Sequence, residues 1–158
     1  MQILKVVPGK SIGEIEIGMD RQEVYRIIGT PKKQESIEWI DEYHIEYAND
    51  KVIFIEVPDS FRDTHFVLFE GVDLFRTEAK LLVKYISEYG KYDETDCELG
   101  YSYSFKELGI GLWRPVIFEY DMLDDPEFQE LDPEIQQDEF KHLFFESICV
   151  FVKDYYKK

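Results

Sequence analysis

Apolar and polar positions near the start of the chain follow two periods, one typical of a strand and the other of a helix. Residues 14–17 alternate between polar and apolar side chains, which predicts a short, half-buried strand. Asp20 then has the residue type of a helix N-cap, and Glu23 follows at the spacing of a capping box. We expect a helix of about two to three turns, because Gly29 favours its end and Pro31 prevents its continuation.

The pattern changes to period two over residues 36–57, where three strands fit. Asn49 and Asp50 suit a tight turn, since both side chains tolerate positive φ. The sequence therefore predicts a hairpin that pairs residues 43–48 with residues 51–57.

A similar series of signals follows in the next part of the chain. Residues 65–69 have the composition of a strand, and a second helix is predicted from near Thr77 to Gly90. The apolar residues at helical spacing in it are Leu81, Leu82, Tyr85, Ile86 and Tyr89. Residues 100–105 and 110–113 then predict a second hairpin.

These elements predict an α+β fold in a single domain covering residues 1–158. We expect an antiparallel sheet built from two helix-hairpin units, residues 11–57 and 65–114, and the pattern leaves open whether they are a duplication. An acidic segment and a C-terminal helix and strand complete the chain over residues 121–156. Asp132 and Pro133 favour the start of that helix, which is expected to end near Glu146. Its expected inward face consists of Ile135, Phe140, Leu143 and Phe144, and residues 148–152 are expected to form the closing strand.

The amino-acid composition of the chain limits the classes of partner that it is expected to bind. The chain has 44% hydrophobic and 16% aromatic residues, too much apolar material for a disordered protein. Its 34 acidic and 18 basic residues give a formal net charge of −16. Nucleic acid and anionic membranes should therefore be repelled, and a basic protein is the expected partner.

The cysteines and the N-terminus indicate the compartment. Cys149 lies in the apolar run 148–152, where a buried, reduced thiol is expected, and Cys97 is the only other cysteine. Residues 1–13 lack the apolar stretch of a signal peptide, and no apolar run approaches the roughly 20 residues of a membrane helix. The expected location is the cytoplasm.

No motif predicts catalysis or a cofactor. The three histidines, His44, His65 and His142, lie in unrelated contexts, and no nucleophile signature surrounds a serine. Asp121, Asp124 and Asp125 have ligand types that suit a hard cation, but the calcium-loop pattern with its central glycine is missing. We therefore predict no cofactor and no metal.

The acidic segment, residues 121–139, is the first of two candidate binding features. It contains nine acidic residues and no lysine or arginine, interleaved with Met122, Leu123, Phe128 and Leu131. Two interpretations remain open: a docking surface with apolar anchors, or an amphipathic loop that packs its apolar side inward. The candidate contacts are Asp121, Asp124, Asp125, Glu127, Phe128 and Glu130.

The second candidate feature lies on the second predicted hairpin. Tyr101, Tyr103, Trp113 and Arg114 are residue types common in binding hot spots, and the hairpin would bring them together. Core packing accounts for Trp113 equally well.

One stretch resembles known proteins. Residues 11–24, SIGEIEIGMDRQEV, with Gly29-Thr30-Pro31, resemble the opening of small bacterial helix-plus-hairpin modules. These include the outer-membrane assembly lipoprotein BamE and the tandem modules of β-lactamase inhibitory protein. The chain departs from the lipoproteins because it shows no signal peptide or lipobox cysteine, so the resemblance does not extend to membrane assembly.

The chain is also similar in general appearance to small acidic immunity proteins that neutralise bacterial toxins. An acidic face attracts a basic nuclease quickly, and apolar anchors slow its release. The resulting hypothesis is a protein-binding module of the immunity or inhibitor type. The alternatives are a carboxylate-based or metal-dependent enzyme and a non-catalytic adaptor.

Overall fold

In a computed structural model that describes residues 1–156, the protein consists of two sheets with helices packed against them. The smaller sheet has the strand order β3-β2-β1-β7-β8. Its strands are β1 (Gln2–Val7), β2 (Ser11–Ile12), β3 (Ile15–Glu16), β7 (His65–Phe69) and β8 (Val72–Asp73). Strands β1 and β7 are parallel, and the other pairs in this sheet are antiparallel.

The larger sheet is antiparallel throughout and has the order β4-β5-β6-β11-β10-β9. Its strands are β4 (Ile37–Ile40), β5 (Tyr43–Ala48), β6 (Lys51–Pro58), β9 (Ser102–Phe105), β10 (Ile110–Trp113) and β11 (Ser147–Phe151). Strand β11 is therefore a central strand, although it comes last in the chain.

The helices are short. They are α1 (Arg21–Ile28), α2 (Ala79–Ile86), α3 (Pro126–Gln129) and α4 (Pro133–Phe140). Single 3₁₀ turns occupy Asp59–Asp63, Tyr120–Asp124 and Lys141–Leu143. Among residues 1–156, no helix has both the length and the apolar character needed to cross a bilayer.

The predicted α+β class is confirmed, but the architecture is not clearly two helix-hairpin units. The sequence analysis assigned no strand to residues 2–7, and the structure places β1 there, at the centre of the five-stranded sheet. Its partner β7 is distant in sequence, and a parallel pair has no local turn that marks it in the sequence. The sequence patterns therefore did not predict the smaller sheet.

Both predicted hairpins are confirmed. Strands β5 and β6 pair around Asn49 and Asp50, whose φ angles are +52° and +59°, as a primed turn requires. Strands β9 and β10 pair around a turn that ends at Gly109. A side chain at Gly109 would collide with the backbone of Gly9, so that position depends on glycine for close approach as well as for its φ of +82°.

The first helix has the predicted position, but its predicted cap is wrong. Asp20 precedes α1 without any hydrogen bond from its side chain to the helix, because its carboxylate accepts a 2.7 Å hydrogen bond from Lys51 Nζ. Glu23 is likewise paired with Arg26 instead of closing a capping box. Ion pairing, long-range for Asp20 and within α1 for Glu23, has therefore replaced the predicted capping motif.

The inward faces predicted for the later helices are partly wrong. Helix α2 buries Leu82 and Ile86, whereas Leu81 is exposed. Helix α4 ends at Phe140 and leaves Ile135 and Phe140 exposed, although both were expected to face inward. The helical spacing of the apolar residues was predicted correctly, but the side of each helix that faces the core was not.

The main hydrophobic cluster joins both sheets to α1 and α2. Val24 of α1 and Leu82 of α2 belong to it, as do residues from nearly every long strand. It contains no residue between Leu112 and Phe145. Of the segment between β10 and β11, only Phe145, two positions before β11, belongs to this cluster.

Candidate functional site

Residues 114–146 form a long excursion, here called the insertion, between two neighbouring strands of the larger sheet. Strands β10 and β11 pair directly, yet the chain leaves the sheet between them. The equivalent connection between β5 and β6 is only Asn49-Asp50. Connections this long in a compact fold generally carry function when they are ordered. The insertion is thus the first place to look for a site.

One buried arginine holds both ends of the insertion. Arg114 is only 1% exposed. Its guanidinium donates to the carbonyl oxygens of Gly100 at 3.1 Å, Phe118 at 3.1 Å and His142 at 3.0 Å. It also donates to Glu119 Oε1 at 2.7 Å. Because these acceptors come from both ends of the insertion, the guanidinium group fixes how the chain leaves the sheet and returns to it.

Few side chains are buried within the insertion itself. Phe118 is buried and contacts Phe128, with ring centroids 5.3 Å apart. Helix α4 is tied to α3 through Gln136, whose side-chain amide donates to the backbone carbonyl oxygen of Phe128 at 3.0 Å. The insertion is thus ordered by one arginine, a small aromatic contact and amide hydrogen bonds.

The insertion carries the nine acidic residues of the segment 121–139, and eight of them are exposed. Within residues 1–156, none of the nine forms an ion pair. Elsewhere in the fold some carboxylates, such as Glu38 and Asp73, are paired with arginines, and others, such as Glu88 and Glu107, are exposed without an ion pair within residues 1–156. The insertion therefore presents uncompensated negative charge on its outer surface.

A groove of about 520 Å³ lies in the middle of the insertion. Its apolar lining residues are Leu123, Phe128, Pro133, Phe140 and Phe144. The amides of Gln136 and Gln137 and the cations Arg62 and Lys141 complete the described lining, which contains no carboxylate. Burial raises the pKa of Asp59, and the nearby charges of Arg62 and Lys141 oppose that rise. The groove lining is thus mainly apolar with two cations, and the unpaired carboxylates lie on the same segment of the chain outside that lining.

The six candidate contacts predicted in the acidic segment occupy different positions. Phe128 is half-buried and lines the groove. Asp125 accepts a 2.9 Å hydrogen bond from the backbone N–H of Glu127 and so caps α3. The remaining four, which are fully exposed, are Asp121, Asp124, Glu127 and Glu130.

The structure brings together only part of the second candidate feature, which consists of Tyr101, Tyr103, Trp113 and Arg114. Tyr101 and Trp113 are both exposed and line a smaller cavity of about 340 Å³ beside Cys97. Tyr103 packs edge-on against Tyr92, and burial raises the pKa of its hydroxyl. Arg114 is buried, so its guanidinium is not available for direct contact with a partner. It supports the insertion instead.

The outer face of the larger sheet carries a cluster that the sequence analysis missed. Trp39 is 67% exposed and stacks on His44, with ring centroids 4.7 Å apart. The imidazole lies between two carboxylates, 3.1 Å from Glu56 and 3.2 Å from Glu46. The sequence analysis treated His44 as an ordinary strand side chain, and the alternation in β5 was the only signal that placed it opposite the core.

Metal and thiol chemistry find little support in the geometry. Within residues 1–156, no group of three or more His, Cys, Asp or Glu side chains is arranged to hold a metal ion. Cys149 is buried, and burial raises the pKa of its thiol, which disfavours the reactive thiolate. Cys97 is exposed.

Comparison of the chain with protein-family models, curated proteins and solved structures finds no match.

Proposed function

We propose that this protein acts in the cytoplasm as an acidic inhibitor of the immunity type, which binds a basic protein such as a nuclease toxin through the insertion. The single observation that carries the proposal is that exposed carboxylates without ion pairs lie on the same segment as a largely apolar groove, and that only Phe145 of this segment belongs to the main core.

Unpaired charges on a protein surface contribute more to recognition of a partner than to stability of the fold. Charges of one sign on a protein surface attract an oppositely charged partner over about one Debye length, roughly 8 Å at physiological ionic strength. This attraction raises the association rate and suppresses partners of the wrong sign. A protein that used these nine residues for folding would pair them, as it pairs Glu38 with Arg21.

The apolar groove provides the second part of a tight complex. Hot spots at interfaces are apolar or aromatic anchors seated in pockets and surrounded by polar residues that exclude water. The groove has the volume and the lining for one or two such side chains from a partner. Dissociation of the complex is then slowed by the buried anchor, while the carboxylates set the association rate.

We also infer that the fold contains two helix-hairpin halves that meet at β6 and β11. The strand order β4-β5-β6-β11-β10-β9 supports this, because three strands of the first half are followed by three of the second in reverse order. The insertion then replaces a two-residue turn of the first half. Because Phe145 is the one residue of the insertion in the main cluster, a binding element at residues 114–144 lies outside that cluster.

The test is capture of partners from the protein's own cells with a five-site variant. Asp121→Asn, Asp124→Asn, Asp125→Asn, Glu127→Gln and Glu130→Gln remove five of the nine charges. The wild-type protein should capture a basic protein at low salt and lose it progressively as salt is raised. The five-site variant should bind that protein at least about tenfold more weakly, mainly through slower association.

A matched control neutralises five exposed carboxylates outside the insertion, so that the net charge is the same. The control substitutions are Glu16→Gln, Asp63→Asn, Glu88→Gln, Glu94→Gln and Glu107→Gln, at exposed positions without an ion pair in residues 1–156. This control should keep nearly the wild-type affinity. Equal weakening of both variants, or capture of an acidic partner, would contradict the proposal and favour the adaptor or enzyme hypotheses.

A further inference from the structure

One arginine that lines the groove of the insertion has no charged partner. The other four arginines of the chain each form an ion pair; they are Arg21, Arg26, Arg76 and Arg114. Within residues 1–156, the guanidinium of Arg62 forms neither an ion pair nor a hydrogen bond, although the chain contains 34 acidic residues. A guanidinium group carries five N–H donors. The donors of Arg62 can therefore bind a ligand in the groove.

The 3₁₀ turn that carries Arg62 is fixed against the end of the insertion. Phe61, its neighbour, is buried in the main cluster. The backbone N–H of Asp59 donates to the carbonyl oxygen of Glu146 at 2.8 Å. The side chain of Arg76 donates to the carbonyl oxygen of Arg62 itself. Arg62 is therefore held by the frame of the fold, while its side chain lines a groove formed mainly by the insertion.

Lys141 supplies a second cation to the same groove. It begins the 3₁₀ turn that follows α4, and it forms no ion pair with any described residue. Burial raises the pKa of Asp59, and the charges of Arg62 and Lys141 both oppose that rise, so both cations lie near this carboxyl group. Asp59 is outside the groove lining and, among residues 1–156, pairs with neither cation. Two unpaired cations thus lie close together beside the apolar walls.

The lining of the groove favours an apolar group that carries a carboxylate. The rings of Phe128, Phe140 and Phe144 provide walls for an apolar side chain. A carboxylate is the usual acceptor for a guanidinium group, which it can bind through two parallel hydrogen bonds. A bare phosphate would leave the apolar walls in water, and a lysine or arginine side chain would meet two charges of its own sign.

Two kinds of molecule place a carboxylate next to an apolar group: a free fatty acid and the C-terminal residue of a protein. A fatty acid anion approaches a chain of net charge −16 against its electrostatic potential. A basic protein is attracted by the carboxylates of the insertion and can bring its own chain terminus to the groove. In a C-terminal residue, the side chain and the carboxylate are attached to the same carbon atom, so both fit in a groove of about 520 Å³.

We propose that the groove binds the C-terminal residue of the basic partner, with an apolar side chain against Phe128 and Phe140 and the terminal carboxylate on Arg62 and Lys141. This inference rests on the proposed function, because the basic partner supplies the terminus. The carboxylates of the insertion attract the partner, and the groove recognises the end of its chain.

The experiment is an NMR titration of the full chain with short acetylated peptides. The probe is acetyl-Gly-Leu-Phe with a free terminal carboxylate, and the same peptide with a terminal amide is the neutral control. Saturable shifts of the Leu123 methyl groups and of the Arg62 side-chain N–H are expected with the probe, at an affinity about tenfold higher than with the amide. Acetyl-Gly-Ser-Ser with a free carboxylate lacks apolar side chains and should give no saturable shift.

Two further ligands test the source of the carboxylate. Acetyl-Glu-Leu-Phe-amide carries its carboxylate on an internal side chain, and octanoate is a free alkyl carboxylate. Both should bind at least about threefold more weakly than the probe. Equal or tighter binding of either ligand would overturn the assignment to a chain terminus.

Substitutions with matched controls locate the carboxylate. Arg62→Gln should weaken binding of the probe about tenfold and Lys141→Gln about threefold, while binding of the amide stays the same. Arg26→Gln and Lys84→Gln remove the same charges from exposed helix positions outside the groove and should leave binding unchanged. Phe140→Ala removes part of an apolar wall, so it should weaken binding of the probe and of the amide alike.

Two results would overturn the groove site: equal affinities for the probe and its amide, or equal losses in the Arg62→Gln and Arg26→Gln variants. Spectra of the unliganded variants report whether each is folded, and Arg62→Gln and Lys141→Gln test the two cations independently. Failure of the inhibitor function is distinguishable from failure of this site. Selective binding of the probe without capture of a basic protein contradicts the inhibitor function, whereas capture of a basic protein with equal peptide affinities contradicts only the groove site.

Discussion

Two buried arginines each hold one connection between neighbouring strands of the larger sheet, and they do so in different ways. Arg21 anchors the short β5–β6 turn, through a 2.9 Å bond to Asp50. Arg114 anchors the long insertion between β10 and β11 through three backbone carbonyl groups and Glu119. The first arginine bonds mainly to side chains, and the second bonds mainly to backbone carbonyl groups, two of which belong to the segment that it holds.

The network around Arg21 is closed. Its guanidinium lies 2.8 Å from Glu38 Oε2, and Glu38 is only 2% exposed. Tyr25 donates to the same carboxylate, and the guanidinium also lies over the ring of Tyr47. A buried charge with every partner in place is stable, but it becomes costly when one partner is removed. Acidic side chains near Arg21 therefore serve the fold, whereas those of the insertion have no such partners.

The largest expected effect comes from opening this closed network. Glu38→Gln removes the buried countercharge of Arg21 and should lower the free energy of unfolding by about 3–5 kcal/mol. Chemical denaturation at neutral pH measures the change. Glu35→Gln, an exposed neighbour, is the control and should cost less than about 0.5 kcal/mol. Equal effects of the two substitutions would show that the network contributes little.

A smaller loss of stability, confined mainly to the insertion, is expected when Arg114 is replaced. Arg114→Met leaves three carbonyl groups without their donor and should cost about 1–3 kcal/mol. The cost is limited because the insertion can open to water without disturbing the main cluster. Hydrogen exchange should therefore accelerate over residues 118–142, while β6 and β11 keep their protection. Loss of protection in β11 as well would mean that the insertion and the sheet unfold together.

Neutralising the five carboxylates of the insertion should have almost no effect on stability. Each substitution is expected to change the free energy of unfolding by less than about 0.5 kcal/mol, because none of the five is paired. Asp125→Asn keeps a side-chain oxygen that can cap α3, so that helix should remain. Thermal or chemical unfolding of the five-site variant measures the summed change in the free energy of unfolding. A large loss of stability would show that these charges serve the fold.

The smallest effect concerns one half-buried, paired carboxylate outside the insertion. Asp93 accepts hydrogen bonds from Thr95 and lies 2.9 Å from Lys106, and these contacts lower its pKa to about 2. The stability it contributes is therefore present above the ordinary pKa near 3.8 and is lost as pH falls from there through about 2. Carboxyl NMR should give that midpoint, and Thr95→Ala should move it upward. No movement would show that Thr95 does not hold the carboxylate.

Local patterns predicted the local elements well. The turn residues Asn49 and Asp50 identified the first hairpin, and the helix ending at Gly29 was found from its own sequence. The acidic segment was also recognised as a candidate site from sequence alone. The sequence did not show that Arg114 is a buried support, because the same residue type serves at exposed hot spots and in buried networks.

Local sequence by itself determined the hairpins, the first two helices and the concentration of negative charge, because each depends on residues a few positions apart. The tertiary structure alone decided that β1 pairs with β7, that β11 lies at the centre of its sheet, and that Arg114 is buried. Those relations join positions that are distant in sequence. Burial and charge pairing at such positions depend on which surfaces meet, and no local pattern contains that information.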